Sequence, residues 1–259
     1  MDVNLVEIFS SVQGEGPDVG RRTLFVRLGG CDLRCAWCDT PHSWLPARTA
    51  RVERCPPGSG DFAVGDANPG VDQVLAAAAS LLEALPHAFV SLTGGEPLLQ
   101  PGAVAALARG LRASGQRIHL ETHGLHAEAL AGLIDHIDVV SMDWKLASDV
   151  RRADDPKGAP PADFHDRHER FLAVAKRAPR VTVKLVVTEA SGDAEIDEAV
   201  ARIARVHPAA DVILQPVTPF AKVTCRPSAE RMLGLQARVQ AVLPDVRVIP
   251  QTHPSWGGR

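Results

Sequence analysis

Short runs rich in Val, Ile and Leu alternate along the chain with longer, alanine-rich amphipathic stretches. The runs at Thr23 to Leu28, Ala88 to Thr93, Arg117 to Glu121, Ile137 to Met142, Val181 to Thr188, Asp211 to Gln215 and Val246 to Pro250 have the length and β-branched content of buried strands. Between them, Val71 to Leu85, Gly102 to Ala113, Ala127 to Ile134, Asp163 to Arg177, Asp193 to Val206 and Ser228 to Leu243 carry apolar positions at helical spacing. Near-continuous apolar strands separated by amphipathic helices argue for a parallel sheet covered by helices, either a barrel, complete or partial, or a doubly wound sheet. About six βα units fall short of the eight in a closed TIM barrel, so the expected fold class is α/β, a partial and open TIM-like barrel.

One segment breaks the rhythm. LPARTARVERCPPGSGDFAVGDANPG, residues 45–70, is dense in Pro, Gly and charge and reads as a mobile insertion loop. Its position, directly after a cluster of cysteines, makes that cluster the next question.

With 259 residues, 45% of them hydrophobic and 23% charged, the chain has the composition of a globular protein, and one domain spanning 1–259 is expected. A net charge of -3 gives no basic field for phosphates, which argues against a general nucleic-acid binder and leaves a small anionic substrate open. The opening MDVNLVEIFSSVQGEG lacks a basic n-region and a continuous apolar core, and no stretch has the roughly 20 apolar residues that span a bilayer, so a cytoplasmic protein with no membrane partner is expected. In a reducing compartment clustered thiols are metal ligands or catalytic groups more often than disulfides.

Three of the five cysteines, Cys31, Cys35 and Cys38, fall within eight residues of GGCDLRCAWCDTPHSW, after the first of these strands, where parallel α/β folds gather their ligands. Three thiolates can hold an iron–sulfur cluster by three of its four irons and leave the fourth open. The rival is zinc, because Cys31, Cys35, Cys38 and His42 form a C-x3-C-x2-C-x3-H pattern suited to a tetrahedral Cys3His site. Spacing alone leaves both readings standing.

The C-x3-C-x2-C loop is similar to the signature of the radical S-adenosylmethionine superfamily, and Thr93-Gly94-Gly95-Glu96-Pro97, at the end of the second of these strands, resembles its GGEP motif. The alternative for TGGEP is a plain strand-to-helix turn opened by Pro97. The resemblance implies a 4Fe–4S cluster whose open iron is chelated by S-adenosylmethionine, and an electron that splits this cofactor to a 5'-deoxyadenosyl radical. In that role the paired glycines would let the backbone approach the methionine portion and Glu96 would accept from its ammonium. The stretch Phe9-Ser10-Ser11-Val12-Gln13-Gly14-Glu15-Gly16, the run Cys38-Asp39-Thr40 and the ending IPQTHPSW narrow the likeness to the 7-carboxy-7-deazaguanine synthase family.

This narrower resemblance implies one radical S-adenosylmethionine domain that converts 6-carboxy-5,6,7,8-tetrahydropterin to 7-carboxy-7-deazaguanine with loss of ammonia, in queuosine and 7-deazapurine biosynthesis. It implies substrate contacts at Val12, Gln13, Gly14, Arg27 and Thr93, with Glu15 added as an inference from its carboxylate. The Arg27 fork suits the substrate carboxylate, against the alternative of a surface ion pair. It implies Mg2+ at Thr40, whose hydroxyl could otherwise cap a helix. S-adenosylmethionine contacts fall on Trp37, Cys38, Asp39, Gly95, Ser141, Gln215, Pro216, Val217 and Thr218. A flavodoxin or ferredoxin as electron donor and a homodimer complete what it implies, with residues 244–259 near the active site. A radical activase of a glycyl-radical enzyme and a zinc-binding interaction protein are the competing readings.

Several residues fall outside the pattern. Where many relatives read S-P-K, this chain reads Ser141-Met142-Asp143-Trp144-Lys145. Cys55 in the insertion is open to a part in the cluster or to none, and Cys225 reads as a lone structural thiol. Glu121, Thr122 and Gly124 are expected to line the cofactor pocket, His165 and His168 to sit on a solvated helix face, and His253 either to close over the substrate or to be a surface imidazole.

Overall fold

The computed structural model describes residues 1–160 and 162–258, and the Trp256 side chain is likewise outside the description. In chain order the strands and helices are β1 (Leu5–Val12), β2 (Arg22–Leu28), β3 (Leu33–Cys35), β4 (Thr49–Glu53), β5 (Phe62–Asp66), α1 (Val71–Ala84), β6 (Phe89–Gly94), α2 (Pro101–Ala113), β7 (Ile118–Thr122), α3 (Ala127–Ala131), β8 (Val139–Asp143), β9 (Val150–Arg152), α4 (His165–Ala175), β10 (Arg180–Val187), α5 (Asp193–Val206), β11 (Asp211–Pro216), α6 (Ala229–Gln240) and β12 (Val246–Val248).

All seven strands expected from the apolar runs form, as β2, β6, β7, β8, β10, β11 and β12, and they lie side by side, parallel, in chain order. Six helical crossovers connect them, and the two edges of the sheet do not meet, so the barrel is open. The strands are buried on both faces, as a sheet covered by helices requires. Helix α5 shows how the sequence writes that packing. Ile196, Ala199, Val200 and Ile203 are buried, an i, i+3, i+4, i+7 stripe, and the Glu195 side chain accepts from the Gly192 N–H at 3.2 Å to close the first turn.

Three elements depart from expectation. Residues 45–70 are not a mobile loop: β4 and β5 form an antiparallel hairpin, and β4 joins the sheet beside β1. The tip is pinned by Glu53, a buried carboxylate that accepts from the N–H groups of Gly58 and Gly60 at 3.0 Å each and of Ser10 at 2.9 Å. β1 itself is a strand that the apolar pattern missed because Glu7, Ser10 and Ser11 interrupt it. It pairs antiparallel with β2, and Phe9 stacks on Phe25 with centroids 5.1 Å apart. Helix α3 ends at Ala131, short of Ile134, because Gly132 follows and the chain tightens into a 3-10 turn at Ile134–His136.

The histidines of α4 are buried, not solvated. His168 donates from Nδ1 to the Gly124 carbonyl at 2.9 Å and accepts the Lys145 N–H at Nε2, also at 2.9 Å. His165 Nδ1 accepts from the Trp144 indole at 3.0 Å. An amphipathic stripe cannot distinguish a solvated imidazole from one whose partners come from other strands. Burial holds His168 well below the ordinary histidine pKa, so it is neutral.

Candidate active site

After β2 the chain turns through Gly29 and Gly30 into the cysteine loop, which is held by backbone. The N–H groups of Gly30 and Cys31 donate to the carbonyls of Ser43 and Trp44 at 2.9 and 3.0 Å, and β3 pairs with β9. The thiols themselves are lightly bonded: Cys31 Sγ takes the Leu33 N–H at 3.5 Å and Cys38 Sγ the Trp44 indole N–H at 3.2 Å. Burial pushes the Cys31 thiol up to about 12, and it also raises Cys35, against the pull of the Lys145 ammonium.

The TGGEP turn packs directly on this loop. A Cβ on Gly94 would lie 2.1 Å from the Leu28 carbonyl oxygen and one on Gly95 2.2 Å from that of Gly30, so both glycines are required for backbone-on-backbone contact. Glu96 does not reach toward a ligand as expected. It is fully buried and accepts from the N–H groups of Leu98 and His123 and the Thr122 hydroxyl at 3.0, 2.8 and 2.8 Å, tying the turn to the end of β7.

Facing the cysteines across a cavity of about 510 Å3 are the ends of β1, β7, β8, β10 and β11. Glu121 on β7 accepts from Gln13 Nε2, Ser91 Oγ and Thr93 Oγ1 at 2.7 to 2.9 Å, with His119 Nδ1 at 3.4 Å; His119 foremost, then Gln13 and Ser91, hold its carboxyl well below the usual range against the opposing effect of burial. Asp143 lies between two ammonium groups, 2.6 Å from Lys145 Nζ and 3.0 Å from Lys184 Nζ. Each lysine is in turn held above its ordinary pKa, because the carboxylate outweighs desolvation. Lys184 also pairs with Glu15, whose carboxylate takes the side-chain amides of Gln215 and Gln251 at 3.2 and 2.6 Å.

The fold brings Gln13, Gly14, Glu15, Arg27, Cys31, Cys35, Trp37, Cys38, Asp39, Thr40, Thr93, Gly95, Ser141 and Gln215 to this one cavity, along with Glu121, Thr122 and His253. Val12, Gly124, Pro216, Val217 and Thr218 do not line it: Val12 is spent on the β1–β2 ladder, and the Val217 N–H on the Val187 carbonyl. Arg27 forms an ion pair with Glu7 at 3.0 Å on the cavity wall. The Thr40 hydroxyl makes no capping bond to the turn that follows it. Cys55 bonds to Ser80 away from the cavity, and Cys225 is exposed, not a buried structural thiol. Lys184 gives no signal in the sequence, and Asp143 and Lys145 in the S-M-D-W-K departure and Gln251 in the ending IPQTHPSW carry no assigned role there, because their partners come together only where the strand ends converge.

The Cys3His zinc set does not assemble. Among the described residues the ligand atoms of Cys31, Asp32 and His123 come within 4.8 Å of one another, without His42. The donor set does suit an iron–sulfur cluster: three free thiols on one wall, the Lys145 ammonium beside them to offset thiolate charge, and a glycine-walled approach.

An open α/β barrel with a three-thiol loop at its strand ends defines the radical S-adenosylmethionine class, and the sequence profile of the Radical SAM superfamily matches residues 25–207. The chain is 38% identical over 255 residues to the 7-carboxy-7-deazaguanine synthase of Geobacter sulfurreducens, covering 98% of this chain and 96% of that protein. It is 37% identical over 257 residues to the synthase of Methanopyrus kandleri, covering 97% and 92%. In fold it is similar to the crystal structure of QueE from Escherichia coli, with a TM-score of 0.60 at 21% identity, covering 97% of this chain and 94% of that one. The chain belongs to the 7-carboxy-7-deazaguanine synthase family.

Proposed function

We infer that the chain is a 7-carboxy-7-deazaguanine synthase that contracts the ring of 6-carboxy-5,6,7,8-tetrahydropterin and releases ammonia. The observation that carries this reading is the junction, in one cavity, of three free thiols with the Gln13–Glu121 pair and Arg27, in a chain 38% identical to a synthase.

When bound, a 4Fe–4S cluster on Cys31, Cys35 and Cys38 and S-adenosylmethionine supply the one-electron chemistry that starts hydrogen abstraction. The protein binds, orients and shields. Arg27 exchanges Glu7 for the substrate carboxylate, and Thr40 with Asp39 offers hard oxygen ligands to Mg2+. Gln13, Thr93, Glu15 and Glu121 present the amide, hydroxyl and carboxylate pattern that reads the amino and ring N–H edge of a pterin. Trp37, Ser141, Gly95 and Gln215, all on the cavity wall, are assigned to the cofactor. Gln251 and His253 bring the C-terminal segment over the opening and limit water.

The enzyme draws its electron from a reductant such as flavodoxin or ferredoxin. We read residues 1–259 as one catalytic domain of a cytoplasmic homodimer with no nucleic-acid or membrane partner, supported by the five free thiols, the net charge of -3 and the family; among the described residues no helix is long and apolar enough to cross a membrane.

The test is anaerobic reconstitution, then incubation with S-adenosylmethionine, dithionite, Mg2+ and 6-carboxytetrahydropterin, with product followed by mass spectrometry. 7-Carboxy-7-deazaguanine is expected. A brown protein that cleaves S-adenosylmethionine but ignores the pterin would leave the radical class and overturn the substrate, as an activase would behave.

A further inference from the structure

Each of the three thiols has a different donor beside it. Cys31 Sγ takes the Leu33 backbone N–H at 3.5 Å, Cys35 lies in the field of the Lys145 ammonium, and Cys38 Sγ takes the Trp44 indole N–H at 3.2 Å, with the Thr40 hydroxyl farther off at 3.9 Å. The first donor belongs to the cysteine motif itself, and the second follows β8 on the opposite wall. Trp44 is neither. It lies 6 positions beyond Cys38, outside the C-x3-C-x2-C spacing, and none of the roles assigned above uses it.

The backbone fixes where the indole stands. Pro41–Ser43 forms a 3-10 turn, the Trp44 N–H donates to the Pro41 carbonyl at 3.2 Å, and the Trp44 carbonyl accepts the Cys31 N–H at 3.0 Å. One residue therefore holds both ends of the cysteine loop, Cys31 by its main chain and Cys38 by its side chain. Arg34 covers one face of the ring, its guanidinium carbon 4.9 Å from the centroid, and that attraction pins the ring plane. Arg34 is fixed in turn, donating from Nη1 to the carbonyls of Cys31 and Leu33 at 2.8 and 2.6 Å. The half-buried indole is thus aimed at Cys38 Sγ by contacts made entirely within the cysteine loop and the turn that follows it.

We propose that the Trp44 indole N–H, acting through Cys38 Sγ, is a positioning group that sets how readily the cluster held by Cys31, Cys35 and Cys38 accepts its electron. This role rests on the radical S-adenosylmethionine reading of the three cysteines. A low-potential one-electron reductant is oxidised by one electron and the cluster is reduced by one; no bond breaks and no proton moves. The added negative charge is shared by the cysteine sulfurs. A donor aimed at one of them stabilises the reduced state more than the oxidised one and so raises the reduction potential.

The test is a redox titration of the reconstituted holoenzyme followed by electron paramagnetic resonance. It is run without S-adenosylmethionine or pterin, so that its outcome is separate from the substrate assignment. Trp44→Phe keeps an aromatic ring and loses the N–H. Its one-electron reduction constant is expected to fall about three- to tenfold, a midpoint lower by about 30–60 mV, at wild-type iron content. A merely structural loss that admits water moves the midpoint upward, because water also favours the more negative state, so the sign separates the two. A reduction constant within about twofold of wild type, or a higher one, overturns the proposal. If Trp44→Phe takes up no iron, the benzothiophene isostere of tryptophan at the same position, equal in shape but without an N–H, decides by the same titration: a lower constant supports the role, and an unchanged or higher one overturns it. A wild-type protein that takes up no iron fails the cluster reading itself, and the role of Trp44 with it.

Discussion

The cysteine wall and the strand-end wall face each other across one cavity but hold their polar atoms differently. On the cysteine side the backbone makes most of the bonds, and the thiols have an N–H at 3.5 Å, an indole N–H at 3.2 Å and, at 3.9 Å, the Thr40 hydroxyl. Opposite, the side chains saturate one another: Glu121 with Gln13, Ser91 and Thr93, Asp143 with two lysines, Glu15 with Lys184 and two glutamine amides. Neutral thiols tolerate burial without partners, whereas buried charges do not. One wall is therefore prepared for a group that brings its own charge, and the other for a ligand that must exchange partners already in place.

The largest effect separating the walls is expected from Cys35→Ala. Activity falls at least about 1000-fold, more than about 4 kcal/mol of barrier, with loss of iron, while the unloaded protein melts near its normal temperature. Metal analysis and thermal denaturation of the same sample check both halves, and a large loss of stability in the unloaded protein would break the contrast.

On the other wall Lys184→Met should act through stability. It leaves Asp143 and Glu15 without a shared cation, at a cost of about 3 kcal/mol, or roughly 6–12 °C in melting temperature. The folded pKa of Lys184 is raised above 10.5, so this contribution is fully present below 10.5 and lost as pH rises through the raised value. The difference between variant and wild type is accordingly flat from pH 6 to 9 and shrinks only in strong alkali.

Thr40→Val sharpens the comparison, because its hydroxyl caps nothing. Activity should drop about 10- to 100-fold with a raised Mg2+ requirement and an unchanged melting temperature. A fall in stability with no change in Mg2+ dependence would return Thr40 to a structural role.

The smallest effect lies behind the walls, at His168. Its folded pKa is well below 6.5, so as pH falls below 6.5 the unfolded chain takes up a proton that the folded one refuses. Stability then drops by about 1.4 kcal/mol per pH unit from this group, and His168→Gln removes that slope in denaturant titrations at pH 7.5, 6 and 5.

Element order, the open parallel sheet and the two loops that meet at its strand ends were legible from periodicity and from the spacing of Cys31, Cys35, Cys38 and Thr93 to Pro97, because these signals sit between near neighbours in the chain. The sequence by itself determined the class of chemistry: a three-thiol loop after a strand and a glycine turn after the next. It did not determine that 45–70 pairs as a hairpin, that His165 and His168 are buried acceptors, that Glu96 braces the turn, or that residues after β8 return to pair with the cysteine loop. Those partners are remote, Gln251 from Glu15 by 236 positions and Glu121 from Gln13 by 108. No local pattern records them; the order of strands in the sheet decides which ends converge, and burial then obliges each charge that arrives there to find a partner among the others.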